Sequence, residues 1–257
     1  MGLLIWLAVI PGIIIALLIY KSDRTEKEPK KELIKAFLLG IVSIIITLIL
    51  SAIFGILDIE LDRSDLLNVA FYSFISIALI EEFSKWICGY LFLKRNKNYD
   101  YMFDGIVYMS FISLGFATLE NILYTFSGGI STAIIRAITT VPAHAFFGIF
   151  SGYYLSLAKK EKINNNPSLS KKYFFLSLLM PTLLHGFYDF CLLTDIVLLY
   201  LVYLVFVVVL YVISISKVKG MLKIEERFEK RKKQYCTNCG NKVEHQFCSN
   251  CGKRVDE

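Results

Sequence analysis

The sequence predicts an all-α polytopic membrane protein of about seven transmembrane helices, with a small cysteine-bearing ribbon at its C-terminus. Three observations carry that reading. The 257 residues are 56% hydrophobic and only 19% charged, and a mean hydropathy of +0.57 is too apolar for a soluble domain of this size. Apolar runs near or above the roughly 20 residues that a helix needs to cross the hydrocarbon recur along the chain. Two Cys-x-x-Cys pairs then follow the last run.

The first run, Leu3 to Tyr20, sits where a signal peptide would, but it lacks a basic leading segment and a small-residue cleavage site. It is predicted to be a retained helix. Leu33 to Leu57, Leu67 to Leu93, Gly105 to Phe126, Ile130 to Ala158, Tyr173 to Leu193 and Ile196 to Ile215 supply the remaining spans. The segments between them alternate in charge. Lysines and arginines crowd the stretches from Lys21, Lys94, Lys159 and Lys217, whereas those from Leu57, Thr125 and Thr194 are poor in them. Basic loops stay on the cytoplasmic side, so the N-terminus is predicted outside and the C-terminus in the cytoplasm. The net charge of +6 is then a topogenic signal, arguing for contact with an anionic leaflet of the bilayer and against nucleic acid.

Composition shifts once, after Ile215. Residues 1–216 form the transmembrane domain, 217–234 a basic helical linker, either tethered to the membrane surface through Met221, Leu222 and Phe228 or a solvated charged helix, and 235–257 the ribbon. Cys236, Cys239, Cys248 and Cys251 form two Cys-x-x-Cys-Gly knuckles, whose four thiolates can surround one structural zinc tetrahedrally. On the reducing side of the membrane zinc is expected rather than a pair of disulfides. The segment is too short to bury a core, so the metal would supply most of its folding free energy. A partner protein is one use for such a ribbon. Cys88 and Cys191 lie inside apolar helices and read as packing residues.

Polar groups at membrane depth carry the chemistry. "IEEFSK" places Glu81, Glu82 and Lys85 in the third run, "FATLEN" brings Phe116, Glu120 and Asn121, "VPAHAFFG" brings His144, and "LLHGFYDF" brings His185 and Asp189. Any one pair reads equally well as interhelical glue. An ionisable group at the bilayer centre costs on the order of 3 kcal/mol on insertion scales, and packing alone does not require that cost in four helices. Carboxylates with imidazoles suit the activation of water, with or without a divalent metal. No serine or cysteine stands as an activated nucleophile, and neither a phosphate loop nor a His-Glu-x-x-His helix is present. Hydrolysis without a covalent intermediate is predicted.

These four motifs, in this order and spacing, resemble those of the PrsW family of intramembrane proteases, relatives of the CAAX-processing and bacteriocin-processing membrane proteases. The resemblance spans nearly the whole membrane region and does not extend to the ribbon. It implies a helical core that cleaves membrane-embedded or membrane-anchored proteins, anti-sigma factors being the best-known substrates. It also implies catalytic roles for Glu81, Glu82, Lys85, Glu120, Asn121, His144, His185 and Asp189. In that reading Glu81 is the general base, and Glu82 shares its proton or helps hold a metal. Lys85 offsets charge, and His144 and His185 ligate metal or stabilise an oxyanion. Asp189 orients His185, while Glu120 and Asn121 complete the cleft. Two rivals remain at this level. A cation or proton-coupled transporter would string such groups along a pore. A non-catalytic sensor signalling through the ribbon would survive loss of Glu81.

Overall fold

The computed structural model describes residues 2–23, 26–56 and 59–232, together with residues 238, 241, 250 and 251. Every regular element among them is helical: α1 (Gly2–Ser22), α2 (Lys30–Ile53), α3 (Leu66–Phe71), α4 (Ile80–Arg95), α5 (Asp104–Ile138), α6 (Thr140–Ile163), α7 (Pro167–Leu193) and α8 (Val197–Lys232). A π-helical stretch, Tyr72–Leu79, joins α3 to α4 and makes Leu66–Arg95 one crossing. Local sequence sets several starts. Asp65 caps α3 by accepting from the Leu67 N–H at 2.9 Å, and Asn166 accepts from Leu169 ahead of a helix that opens on Pro167.

Among the described residues, six helical stretches are long and apolar enough to cross a membrane, and one of them, Asp104–Ile163, is 60 residues long. That stretch doubles back. Arg136 Nη2 lies 2.8 Å from Glu120 Oε2, a contact across 16 residues that would be ~24 Å apart in an unbroken helix. The reversal is at Gly129, whose φ of 76° and ψ of −162° a side chain would strain. The predicted break between Phe126 and Ile130 falls on it. Asp104–Ile163 therefore supplies two antiparallel legs, and the membrane region has seven legs.

This hairpin is the centre of the bundle. α5 packs against α1 and α2, and α6 against α7 and α8, while α7 also covers the π-helical stretch. The two legs approach closely where α6 has Gly148, since a Cβ there would lie 2.7 Å from the Met109 carbonyl oxygen. Pro142 offers no N–H to the carbonyl of Ile138, and the Tyr211 hydroxyl donates to that oxygen instead, at 3.2 Å. Outward faces carry exposed Leu17, Leu48, Ile134 and Val205, as a surface bathed in lipid requires.

The basic loops gather at one end of the bundle. There Tyr108 donates to Glu28, Lys159 donates to the Tyr99 carbonyl, and the Phe103 N–H donates to Glu225 at 3.3 Å. The predicted linker is helical as far as Lys232, and no break separates it from the last span. Met221, expected to touch lipid, is buried in protein instead, because the stem of α8 docks on the start of α5. The predicted ribbon lies outside the described residues, apart from the exposed residues 238, 241, 250 and 251.

Candidate active site

Helices α4 and α7 and the two legs of the hairpin converge on a polar centre at membrane depth. The π-helical stretch precedes Glu81 directly, and its wider turn resets which side of the following helix faces inward. Glu82, Ser84 and Lys85 of α4 are buried as a result, with Glu81 slightly more open. The polar groups form one continuous chain of contacts. Lys85 Nζ donates to Glu82 Oε1 at 2.5 Å and lies 3.2 Å from His144 Nδ1. Glu82 Oε1 also faces His185 Nδ1 at 2.9 Å. His185 Nε2 points to Asp189 Oδ2 at 3.3 Å and to Glu81 Oε2 at 4.0 Å. His144 Nε2 meets Glu120 Oε2 at 3.0 Å.

Apolar and backbone groups fix this arrangement. The Phe147 ring stacks on His185 with centroids 4.9 Å apart, and Lys85 Nζ sits 4.5 Å above the Phe116 ring, so the Phe116 of "FATLEN" caps the buried ammonium. Ser113 donates to the His144 carbonyl at 2.6 Å and ties the hairpin's legs together beside the site.

Seven of the eight residues expected from sequence thus meet directly. Asn121 stands one contact away, donating to the Ala8 carbonyl at 2.9 Å and accepting from Arg136 Nε at 3.0 Å. Two features were not anticipated. Asp189, expected to orient His185, lies beside its Nε2, and Glu82 takes Nδ1 as well. Arg136 was not anticipated at all. It grips Glu120 at 2.8 Å and Asn121 at 3.0 Å, and covers the Tyr124 ring at 4.2 Å. The one signal for it in the sequence is an arginine within an apolar span, a rarity that marks a site by default.

Among the described residues, one group can hold a metal ion: Glu81, His144 and His185 offer ligand atoms within 4.8 Å of one another. The donor set suits one. Glu81 Oε2 is buried with no hydrogen-bond partner among the described residues, and a buried lone acceptor calls for a cation or a proton. Charge agrees. With both imidazoles neutral, the four carboxylates Glu81, Glu82, Glu120 and Asp189 face two fixed cations, Lys85 and Arg136, leaving the charge that one divalent ion would balance.

A helical membrane bundle with a buried carboxylate and imidazole centre has the groups that a membrane-embedded hydrolase of the water-activating kind requires. The profile of the PrsW family of intramembrane metalloproteases matches residues 28–214, and the chain belongs to that family. It is similar to the Protease PrsW of Geobacillus kaustophilus, 38% identical over 74% of this chain and 80% of the relative, and to that of Clostridioides difficile, 36% identical over 74% and 79%. The Protease PrsW of Bacillus subtilis is 36% identical over 71% of this chain and 79% of its own. No solved structure matches the chain at a significant level. The protein is a multi-pass intramembrane protease.

Proposed function

We propose that this protease hydrolyses a peptide bond of a membrane-anchored protein at the Glu81, His144 and His185 centre. The observation that carries the reading is the unpartnered Oε2 of Glu81, aimed at two imidazoles in a buried site. His144, His185 and Glu81 would hold a divalent metal ion, with Glu82 fixing the His185 ring through Nδ1 so that Nε2 faces inward. When bound there, such an ion supplies a Lewis acid and lowers the pKa of water. Glu120, held by Arg136 as a hydrogen-bond acceptor, would take the proton of the attacking water. Lys85 and Arg136 offset the charge that develops on the scissile carbonyl.

One contact favours a second, metal-free reading. Lys85 Nζ beside His144 Nδ1 makes that nitrogen an acceptor and leaves the Nε2 proton directed at Glu120, a tautomer unsuited to ligation. Glu81 itself would then be the general base. Purification of the full chain, metal analysis and cleavage of a membrane-anchored peptide separate the two. The metal reading expects one divalent ion per chain and loss of cleavage on chelation. The metal-free reading expects neither. Both expect Glu81→Gln to lower cleavage by at least about 10²-fold at unchanged yield of folded protein, and full activity in that variant would defeat both.

The same reading places the basic end and the C-terminus in the cytoplasm, on the strength of the loop charges. It takes residues 235–257 as a zinc ribbon on Cys236, Cys239, Cys248 and Cys251 that recruits a protein partner, with residues 217–234 as its stem. It takes an anti-sigma-factor-like protein as the substrate type.

A further inference from the structure

The first, fifth and seventh legs run the same way, toward the basic end, and α1, α6 and α8 enclose a groove of about 880 Å³ between them. Its walls are apolar, with Pro11 and Leu18 from α1, Phe146 from α6, and Tyr211 and Leu222 from α8. It does not serve the catalytic centre. At 100° per residue, Pro142, Phe146 and Ile149 fall within about 60° of one another on α6, and His144 lies roughly opposite them. The helix thus stands between groove and site, and a polypeptide lying in the groove could not present a bond to Glu81.

Two features distinguish the groove from an ordinary lipid-facing surface. Lys21 and Lys219 both line it near the basic end, both are exposed, and its lining includes no acidic side chain. Ser214 also lines it. This hydroxyl is fully buried and has no hydrogen-bond partner among the described residues, although a helical serine commonly bonds the carbonyl four residues back. Ser214 precedes Lys219 by five residues, ~7.5 Å along the helix axis. A glycerophospholipid needs the same order of groups: a cation at the phosphate, a donor at the ester carbonyl a few ångströms deeper, and an apolar trough for the acyl chains.

We propose that this groove is a binding site for one anionic glycerophospholipid, its phosphate held by Lys21 and Lys219 and an ester carbonyl by the Ser214 hydroxyl. The test is native mass spectrometry of the full chain in detergent, titrated with dioleoyl phosphatidylglycerol or with dioleoyl phosphatidylcholine. The anionic lipid should bind on the order of tenfold more tightly, since each lysine at the membrane surface adds to the attraction. Lys21→Gln with Lys219→Gln, at exposed positions where folding is not at stake, should erase that preference. Ser214→Leu should weaken both lipids alike. Equal binding of the two lipids by the native chain would overturn the proposal, as would a preference that survives the double lysine variant. Capture of a second copy of the chain in place of lipid would overturn it too.

Discussion

At membrane depth Glu81, Glu82, Glu120 and Asp189 are interleaved with Lys85, Arg136, His144 and His185. At the basic end Glu28, Asp104 and Glu225 are equally buried, and the groups that donate to them include the Tyr108 hydroxyl and the backbone N–H groups of Asp100, Tyr101 and Phe103. One network offsets charge with charge and keeps its carboxylates as acceptors, the condition for water activation. The other draws hydrogen bonds from a hydroxyl and from backbone N–H groups, which suits the joining of helices. Burial alone therefore does not distinguish the two networks; the imidazoles at membrane depth do.

The largest effect should come from removing the cation that links the first network. Lys85→Met would leave Glu82 buried without its ion pair, at a cost of about 3–5 kcal/mol, and should abolish cleavage as well. Thermal unfolding in detergent and the peptide assay check the two parts, and an unchanged melting temperature would break the comparison. Arg136→Gln comes next. Being partly exposed, Arg136 should matter little to folding, but cleavage should fall about 10²-fold through kcat, with Arg136→Lys restoring part of it. A loss confined to KM would place Arg136 in substrate binding instead.

At the basic end, Tyr108→Phe should cost about 1–2 kcal/mol of stability by stripping Glu28 of a donor, while cleavage per folded molecule stays the same. A loss of activity there would show that the two networks are coupled. The smallest effect is one of pH. Burial holds the Glu28 carboxyl above the usual carboxylate range, with Asp23, Asp100 and Asp104 facing it, Tyr108 donating to it and Glu225 beside Phe103. Its contribution to stability is complete below the ordinary carboxylate pKa and fades as pH rises through the raised value. Hydrogen exchange around residues 26–32 and 99–104 should accelerate over that range beyond its intrinsic pH dependence. A flat corrected profile would remove the raised Glu28 carboxyl from the account.

The site was legible in the sequence because its members break a strong rule. Glu81, Glu82, Lys85, His144 and His185 interrupt apolar runs, and an interruption in a membrane span is visible without knowing any neighbour. Arg136 breaks the same rule, but its meaning depends on the reversal at Gly129, which brings it back across 16 residues to Glu120. The basic-end carboxylates break no rule. Glu28 and Glu225 lie in charged loop and linker sequence, and nothing local shows that they are buried.

The sequence by itself determined the helical class, the apolar spans, the positions of the loops and the family, because hydrophobic length and ionisable interruptions are properties of single segments. Only the tertiary structure decided that Glu82 rather than Asp189 takes the Nδ1 of His185, that Arg136 holds Glu120, and that the stem of α8 docks on Phe103. The physical reason is reach. A side chain spans a few ångströms, and which side chains come within that distance depends on how helices tens of residues apart are rotated and packed.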